Sequence, residues 1–197
     1  MEEILKKQFK TLVNLTDSEF ELVKTYFTEK QFDKKQFVFQ QDELVTNCYF
    51  VVYGLMKLVF INDLGKEFIF SIVNENRWET DFMAYFTQSK TTMSLQCVEK
   101  TFLLCLTLDN YKKLCTDFPK MQSFFHQKST LGFIATQQRL LCLLTTNPKE
   151  RYEIMLKSTP AIFKRASKTL LASYIGVSRE TLSRLTAKKN SDFNHKF

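Results

Sequence analysis

SKTLLASYIGVSRETLSRLTAKK, residues 167–189, is the stretch on which the reading of this chain turns. Leu170, Leu171, Tyr174 and Ile175 fall at the one-sided spacing of a short helix laid on a core. Gly176 adopts positive φ without a Cβ penalty and so ends that helix. Val177 plugs the corner and Ser178 suits the N-cap of a second helix. That second helix buries Leu182 and Leu185 and leaves Arg179, Glu180, Ser183 and Arg184 outside. A helix, a glycine turn and a helix with long polar arms near its start predict a helix-turn-helix, whose second member fits a DNA major groove. The plain alternative is two amphipathic helices that merely meet at a glycine turn, a common arrangement.

Charge separates the two readings. Residues 1–145 hold 17 Lys and Arg against 17 Asp and Glu, whereas residues 146–197 hold 11 against 4. The whole excess of +7 therefore lies in the last quarter of the chain, the segment that contains the helix pair. Basic charge concentrated on such a unit is the footprint of a polyanionic partner.

Tyr-Ile-Gly-Val-Ser-Arg-Glu-Thr-Leu-Ser-Arg-Leu, 174–185, closely resembles the recognition-helix region of the Crp/Fnr transcription regulators. The resemblance implies that Arg179, Glu180 and Arg184 read base edges, with Ser178 and Ser183 beside them. It also implies phosphate contacts from Ser167 and Thr169, to which the charge of Lys188 and Lys189 adds. The partners it implies are double-stranded DNA with a palindromic site, a second copy of the chain and RNA polymerase. A rival of another class keeps the same basic surface but docks it on an acidic protein, as a ligand-sensor module. Only the DNA reading predicts a palindromic footprint.

Upstream the periodicity changes. Residues 2–15 and 17–29 read as short helices, the second capped at Thr16-Asp17. From about Phe32, runs rich in β-branched and aromatic residues at 37–39, 49–53, 56–61 and 68–73 read as strands. Asn62–Lys66 is a hairpin loop, and two more strands fit 92–98 and 102–106. Closely spaced antiparallel strands predict a small barrel or roll. Tyr49–Ile61, interrupted at Tyr53-Gly54, resembles the start of a cyclic-nucleotide-binding β-roll.

Residues 109–116 read as a helix stopped at Phe118-Pro119, and Lys120–Leu144 as one helix of roughly 25 residues, about 37 Å long. Its apolar seam suits packing on a second copy as well as on the roll; burial within its own subunit is the alternative. Two copies would place two recognition helices about 34 Å apart, one DNA turn. Thr145-Thr-Asn-Pro148 reads as a hinge, Lys149–Lys157 as a helix, and Pro160 as the end of a turn. The tail after Lys189 reads as polar and frayed, with little room for a β-hairpin wing.

The expected architecture is thus α+β. Residues 1–118 form a cyclic-nucleotide-binding-like effector domain with a β-roll, 119–145 a long dimerisation helix, and 146–197 a winged-helix-like helix-turn-helix domain.

The effector pocket implied by the family needs a Gly-Glu pair and an Arg-Ser or Arg-Ala pair about ten residues later. A guanidinium grips a phosphate through two hydrogen bonds while the glutamate accepts from a ribose hydroxyl. Here Thr80-Asp81 stand for the first pair and Thr91-Thr92 for the second, with Lys90 a point charge nearby. Thr136 aligns with a residue that touches the purine in cyclic-AMP-binding relatives. Without the arginine a buried phosphate lacks its counter-charge, so tight cyclic-AMP binding is not expected.

The remaining chemistry is sparse. Cys48, Cys97, Cys105, Cys115 and Cys142 include no CxxC pair and none precedes residue 48, so the N-terminal iron–sulfur cluster of some relatives is not expected. His126 and His195 lie apart without a ligand partner at helical spacing, and no metal site is expected. Glycine phosphate loops, HExxH and GxSxG are missing, which argues against an enzyme. Glu79 and Asp81 form the nearest thing to a carboxylate pair, readable as solvent-facing loop residues. The charged start MEEILKKQFK is no signal peptide and no run spans a membrane, so a cytoplasmic protein is expected.

Overall fold

Strand side chains alternate between two faces, and in this chain both faces are apolar. Asn47–Tyr53, NCYFVVY, is buried at every position but the last. Such a strand needs a layer on each side, and the computed structural model, which describes residues 2–194 and their side chains as far as Ala187, supplies them. The strands are β1 (Thr28–Phe32), β2 (Phe37–Phe39), β3 (Asn47–Tyr53), β4 (Met56–Ile61), β5 (Glu67–Val73), β6 (Trp78–Glu79), β7 (Ser94–Cys97) and β8 (Thr101–Thr107). They form two four-stranded antiparallel sheets, in the orders β1-β8-β3-β6 and β2-β7-β4-β5.

Alternate residues of both sheets meet in the middle, where Tyr49, Val51, Leu103 and Cys105 face Phe39, Met56, Leu58 and Leu95. The opposite face of the first sheet, Phe50, Val52, Leu104 and Leu106, is covered by helices. These are α1 (Glu2–Lys10), α2 (Asp17–Val23), α4 (Leu108–Asp117) and the start of α5 (Pro119–Thr145). Thr16 caps α2 in a capping box with Glu19, as the sequence suggests. The outer face of the second sheet is covered by the C-terminal helices: Leu55, Val59, Ile69 and Ile72 share one core with Tyr152, Met155, Ile162, Leu171, Ala172, Ile175 and Leu182. Those helices are α6 (Pro148–Ser158), α7 (Pro160–Arg165), α8 (Lys168–Ile175) and α9 (Arg179–Asn194).

Several expectations are corrected. The first helix stops at Lys10, and the second at Val23, followed by a 3-10 turn at Lys24–Tyr26. Thr28 and Glu29, read as the end of that helix, instead begin the edge strand β1, mostly exposed and lacking an apolar alternation; its hydrogen bonds to β8 make it a strand. Strand β6 and helix α3 (Phe82–Thr87) were not anticipated, because neither is long enough to show a period. Pro160 opens α7 at a position where its missing N–H costs nothing, rather than ending a turn. Helix α9 continues to Asn194, past Lys189. Among the described residues no strand follows it.

Two turns depend on glycine. Gly54, between β3 and β4, has φ +119°, and a Cβ there would lie 2.4 Å from Thr101 Oγ1 and 2.8 Å from Thr101 Cα. Gly176, between α8 and α9, has φ +80° with open space around it. The first turn needs glycine for room and conformation, the second for conformation alone.

Candidate functional site

The Ser167 hydroxyl accepts from the Leu170 amide at 3.1 Å and so starts α8, whose buried side is Leu171, Ala172 and Ile175. Gly176 closes α8 with its amide on the carbonyls of Ala172 and Ser173. Val177 is half-buried in the core at the corner, and Ser178 Oγ accepts from the Thr181 amide at 3.2 Å to start α9. Leu182 is buried and Leu185 half-buried, while Arg179, Glu180, Ser183 and Arg184 are exposed and line one shallow recess. Local reading of 167–185 is therefore matched residue by residue. Its own backbone amide and the Ser178 hydroxyl hold the Glu180 carboxyl below the usual range, with Arg179 and Arg184 adding to the effect. An ionised acceptor flanked by two guanidinium donors is the chemistry that distinguishes base edges. Ser167 and Thr169 are exposed at the start of α8, though the Ser167 hydroxyl is already engaged as a cap. The side chains of Lys188 and Lys189, and His195 as a whole, lie outside the described residues.

Not every C-terminal cation faces outward. Arg151 Nε donates to the Ile175 carbonyl at 2.8 Å and Nη1 to the Thr146 carbonyl at 2.6 Å. Arg165 forks onto Glu75, Nη1 to Oε2 at 2.7 Å and Nη2 to Oε1 at 2.8 Å, and reaches Glu99 with Nε at 3.3 Å. From α5, Arg139 lies over the Tyr174 ring at 3.6 Å and donates to the carbonyls of Ile69 and Tyr174, both at 3.2 Å. Sequence reading missed these three, because their partners lie 5 to 90 residues away and leave no local pattern.

The effector cassette is brought together only in part. Thr80, Asp81 and Thr91 are buried side by side; Lys90, Thr92 and Thr136 are exposed. Asp81 Oδ1 accepts from the Ala84 amide at 3.1 Å, as the N-cap of α3, and Oδ2 accepts from the Thr91 hydroxyl at 2.6 Å. Thr80 Oγ1 donates to the Asn47 carbonyl at 2.9 Å, and Thr136 Oγ1 to the Gly132 carbonyl at 3.0 Å. No arginine stands among residues 78–92 to receive a phosphate. Glu79 is not solvent-facing, as a loop reading allows, but buried: Oε2 accepts from Ser71 Oγ at 2.6 Å and Oε1 from the Thr80 amide at 3.1 Å. Burial pushes its carboxyl up, the Ser71 and Thr80 donors oppose this, the Asp81 charge adds to it, and the result is about 7.

The five cysteines are free thiols; Cys48, Cys97 and Cys105 are buried, and burial pushes Cys105 up to about 11. Among the described residues no His, Cys, Asp or Glu cluster could hold a metal, and no helix is long and apolar enough to cross a membrane.

These features define a cyclic-nucleotide-binding type of β-roll followed by a long helix and a basic helical unit. Residues 29–118 match the cyclic nucleotide-binding domain family. Among solved structures, the chain is similar to the c-di-GMP responsive global regulator CLP of Xanthomonas campestris, at TM-score 0.72 and 14% identity, over 90% of this chain and 93% of that one. FixK2 of Bradyrhizobium japonicum matches at TM-score 0.70 and 15% identity, over 84% and 85%. The Thermus thermophilus catabolite activator protein matches at TM-score 0.54 and 20% identity, over 91% and 85%. The fold is that of the Crp/Fnr regulators. No curated protein sequence matches the chain.

Proposed function

We propose that the protein is a homodimeric, sequence-specific DNA-binding transcription regulator of the Crp/Fnr type that does not respond to cyclic AMP. The observation that carries this is the exposed row Arg179, Glu180, Ser183, Arg184 on α9, held outward by the burial of Leu182 and the capping of α8 and α9. In this reading residues 1–118 are a regulatory roll, 119–145 a dimer stem and 146–197 the DNA-binding unit, winged-helix-like. Arg179 and Arg184 donate to guanine O6 and N7, and Glu180 accepts from cytosine N4. Ser167, Thr169, Lys188 and Lys189 serve the phosphate backbone and set the register, and Ser178 and Ser183 contact DNA beside the base-reading residues. RNA polymerase is the partner that would read the bound dimer.

Helix α5 supports the dimer. It is buried only at Met121, Phe124 and Phe125, and leaves Leu131, Phe133, Ile134, Leu140, Leu141, Leu143 and Leu144 exposed along a helix of 27 residues. A soluble chain rarely leaves so long an apolar stripe in water. A second copy covers it.

The cassette supports independence from cyclic AMP. Asp81 accepts from Thr91 and from the Ala84 amide, Thr91 also accepts from the Met93 amide, and no arginine stands among residues 78–92 to offset a diester charge. A cyclic nucleotide does not fit that set. Selection of duplexes from a random pool, followed by binding of Arg184→Ala, tests the assignment. The variant should lose about 1–3 kcal/mol on the selected palindrome and relax one base pair per half-site. Equal losses on selected and random duplex would overturn the base-reading role, and a micromolar cyclic-AMP isotherm by calorimetry would overturn the effector reading.

A further inference from the structure

Arg165 ends α7 two residues before Ser167, the N-cap of α8, so whatever holds its guanidinium also holds the start of the helix pair. What holds it belongs to the roll. Glu75 lies in the turn after β5, with Oε1 also accepting from the Gly54 amide at 2.9 Å, and Glu99 lies in the turn between β7 and β8. One planar fork thus ties together two turns at the same end of the roll. Burial raises the Glu75 carboxyl, but the Arg165 fork and the Gly54 amide more than offset it and bring it to about 2, so the pair is ionised across the physiological range.

The far end of α8 is fastened as well. Arg139 on α5 bridges the Ile69 carbonyl of β5 and the Tyr174 carbonyl of α8, and Arg151 on α6 takes the next carbonyl, Ile175. Cations on the last carbonyls of a helix also suit its dipole. Between the two fastenings Leu171, Ala172 and Ile175 share a core with Ile69 and Ile72. Helix α9 is attached to α8 through the Gly176 turn and buried Leu182. Throughout, Arg179 and Arg184 stay exposed, so this docking does not cover them.

We infer that Arg165 is a positioning residue: by gripping Glu75 and Glu99 it locks the helix pair onto the roll and aims the exposed face of α9. The inference rests on the DNA-binding reading above. It makes Arg165 a cation that serves DNA without touching it.

The test replaces the acceptors, not the arginine, in the full-length protein: Glu75→Gln with Glu99→Gln. Removing two negative charges strengthens attraction to any duplex by plain electrostatics. Loss of aim acts the other way on the specific site alone. Affinity for the selected palindrome should fall about tenfold, as for a competent orientation populated one time in ten. Affinity for scrambled duplex should hold or rise. Amide exchange in 67–73 and 168–175 should speed up, and Arg165→Glu combined with Glu75→Arg should restore more protection than Arg165→Glu alone retains. An unchanged palindrome-to-scrambled ratio overturns the inference, whether or not exchange changes. A wild-type chain that discriminates no duplex sinks the DNA reading and the aiming role with it, while exchange still reports separately whether the clamp joins the two parts.

Discussion

Glu79 gives the sharpest quantitative handle on this molecule. Its carboxyl, buried between the sheets' edge and the cassette, is raised from 4.5 to about 7. An acid whose folded value lies above its unfolded one carries an extra proton when folded. Its contribution to stability is therefore fully present below pH 4.5 and is lost as pH rises through about 7. At ~1.4 kcal/mol per pH unit, this amounts to about 3 kcal/mol between pH 4.5 and 8.5. Glu79→Gln keeps the shape and an acceptor for the Ser71 hydroxyl while removing the titration. Guanidinium denaturation of both proteins across that range isolates the effect, because every other group cancels in the difference. At pH 4.5 the two should be close in stability; by pH 8.5 the glutamine variant should be ahead by about 3 kcal/mol. A difference that stays constant with pH would show that Glu79 ionises normally and that the buried carboxyl has access to water.

Other expectations follow from packing. Gly54→Ala should cost at least about 2 kcal/mol, from positive φ together with a Cβ driven onto Thr101; an unchanged thermal midpoint would show that the β3–β4 turn gives way freely. Leu171→Ala, in the core shared by the second sheet and α8, should lower stability by about 2–5 kcal/mol in denaturant titration. A smaller loss would mean the C-terminal helices rest on the roll rather than pack with it. Leu141→Asp on the exposed α5 stripe should shift the chain from dimer to monomer in sedimentation while leaving its melting cooperative. Sedimentation as a dimer would place the contact between copies elsewhere.

What was legible in the sequence divides along physical lines. Residues 167–185 could be read almost completely, because caps, glycine φ and helical spacing are local properties. The long helix was readable for the same reason: Pro119 starts it, and no proline interrupts it before Pro148. Strand β1 was not, since TEKQF carries no alternation and owes its form to β8, whose paired residues lie 69 to 77 positions away. Of the effector residues, the sequence named Asp81 and Thr91 as parts of one pocket, yet it held no sign that Thr91 would bond Asp81 directly. Positive charge read along the chain pointed to the C-terminal unit, but only the fold separates Arg179 and Arg184, which face out, from Arg151 and Arg165, which face in.

That separation bears on how such a molecule is controlled. A ligand shifts an orientation only by binding one arrangement better than another. In the roll the positions where a phosphate would act are joined by the Thr91–Asp81 bond, with Ala84 on the other carboxylate oxygen. On the outer face of the second sheet, Ile69 and Ile72 are buried by α8 and its neighbours, with Arg139 and Arg165 fastening the two ends. Both features are interactions within the chain, which is what the effector-independent reading proposed above would use. Loosening the clamp should therefore degrade specific binding without any effector present, whereas Thr91→Val, which opens the Asp81–Thr91 bond and takes the hydroxyl from the Met93 amide, should leave DNA affinity nearly unchanged. A large loss from Thr91→Val in a protein that still folds would mean that the cassette communicates with α9.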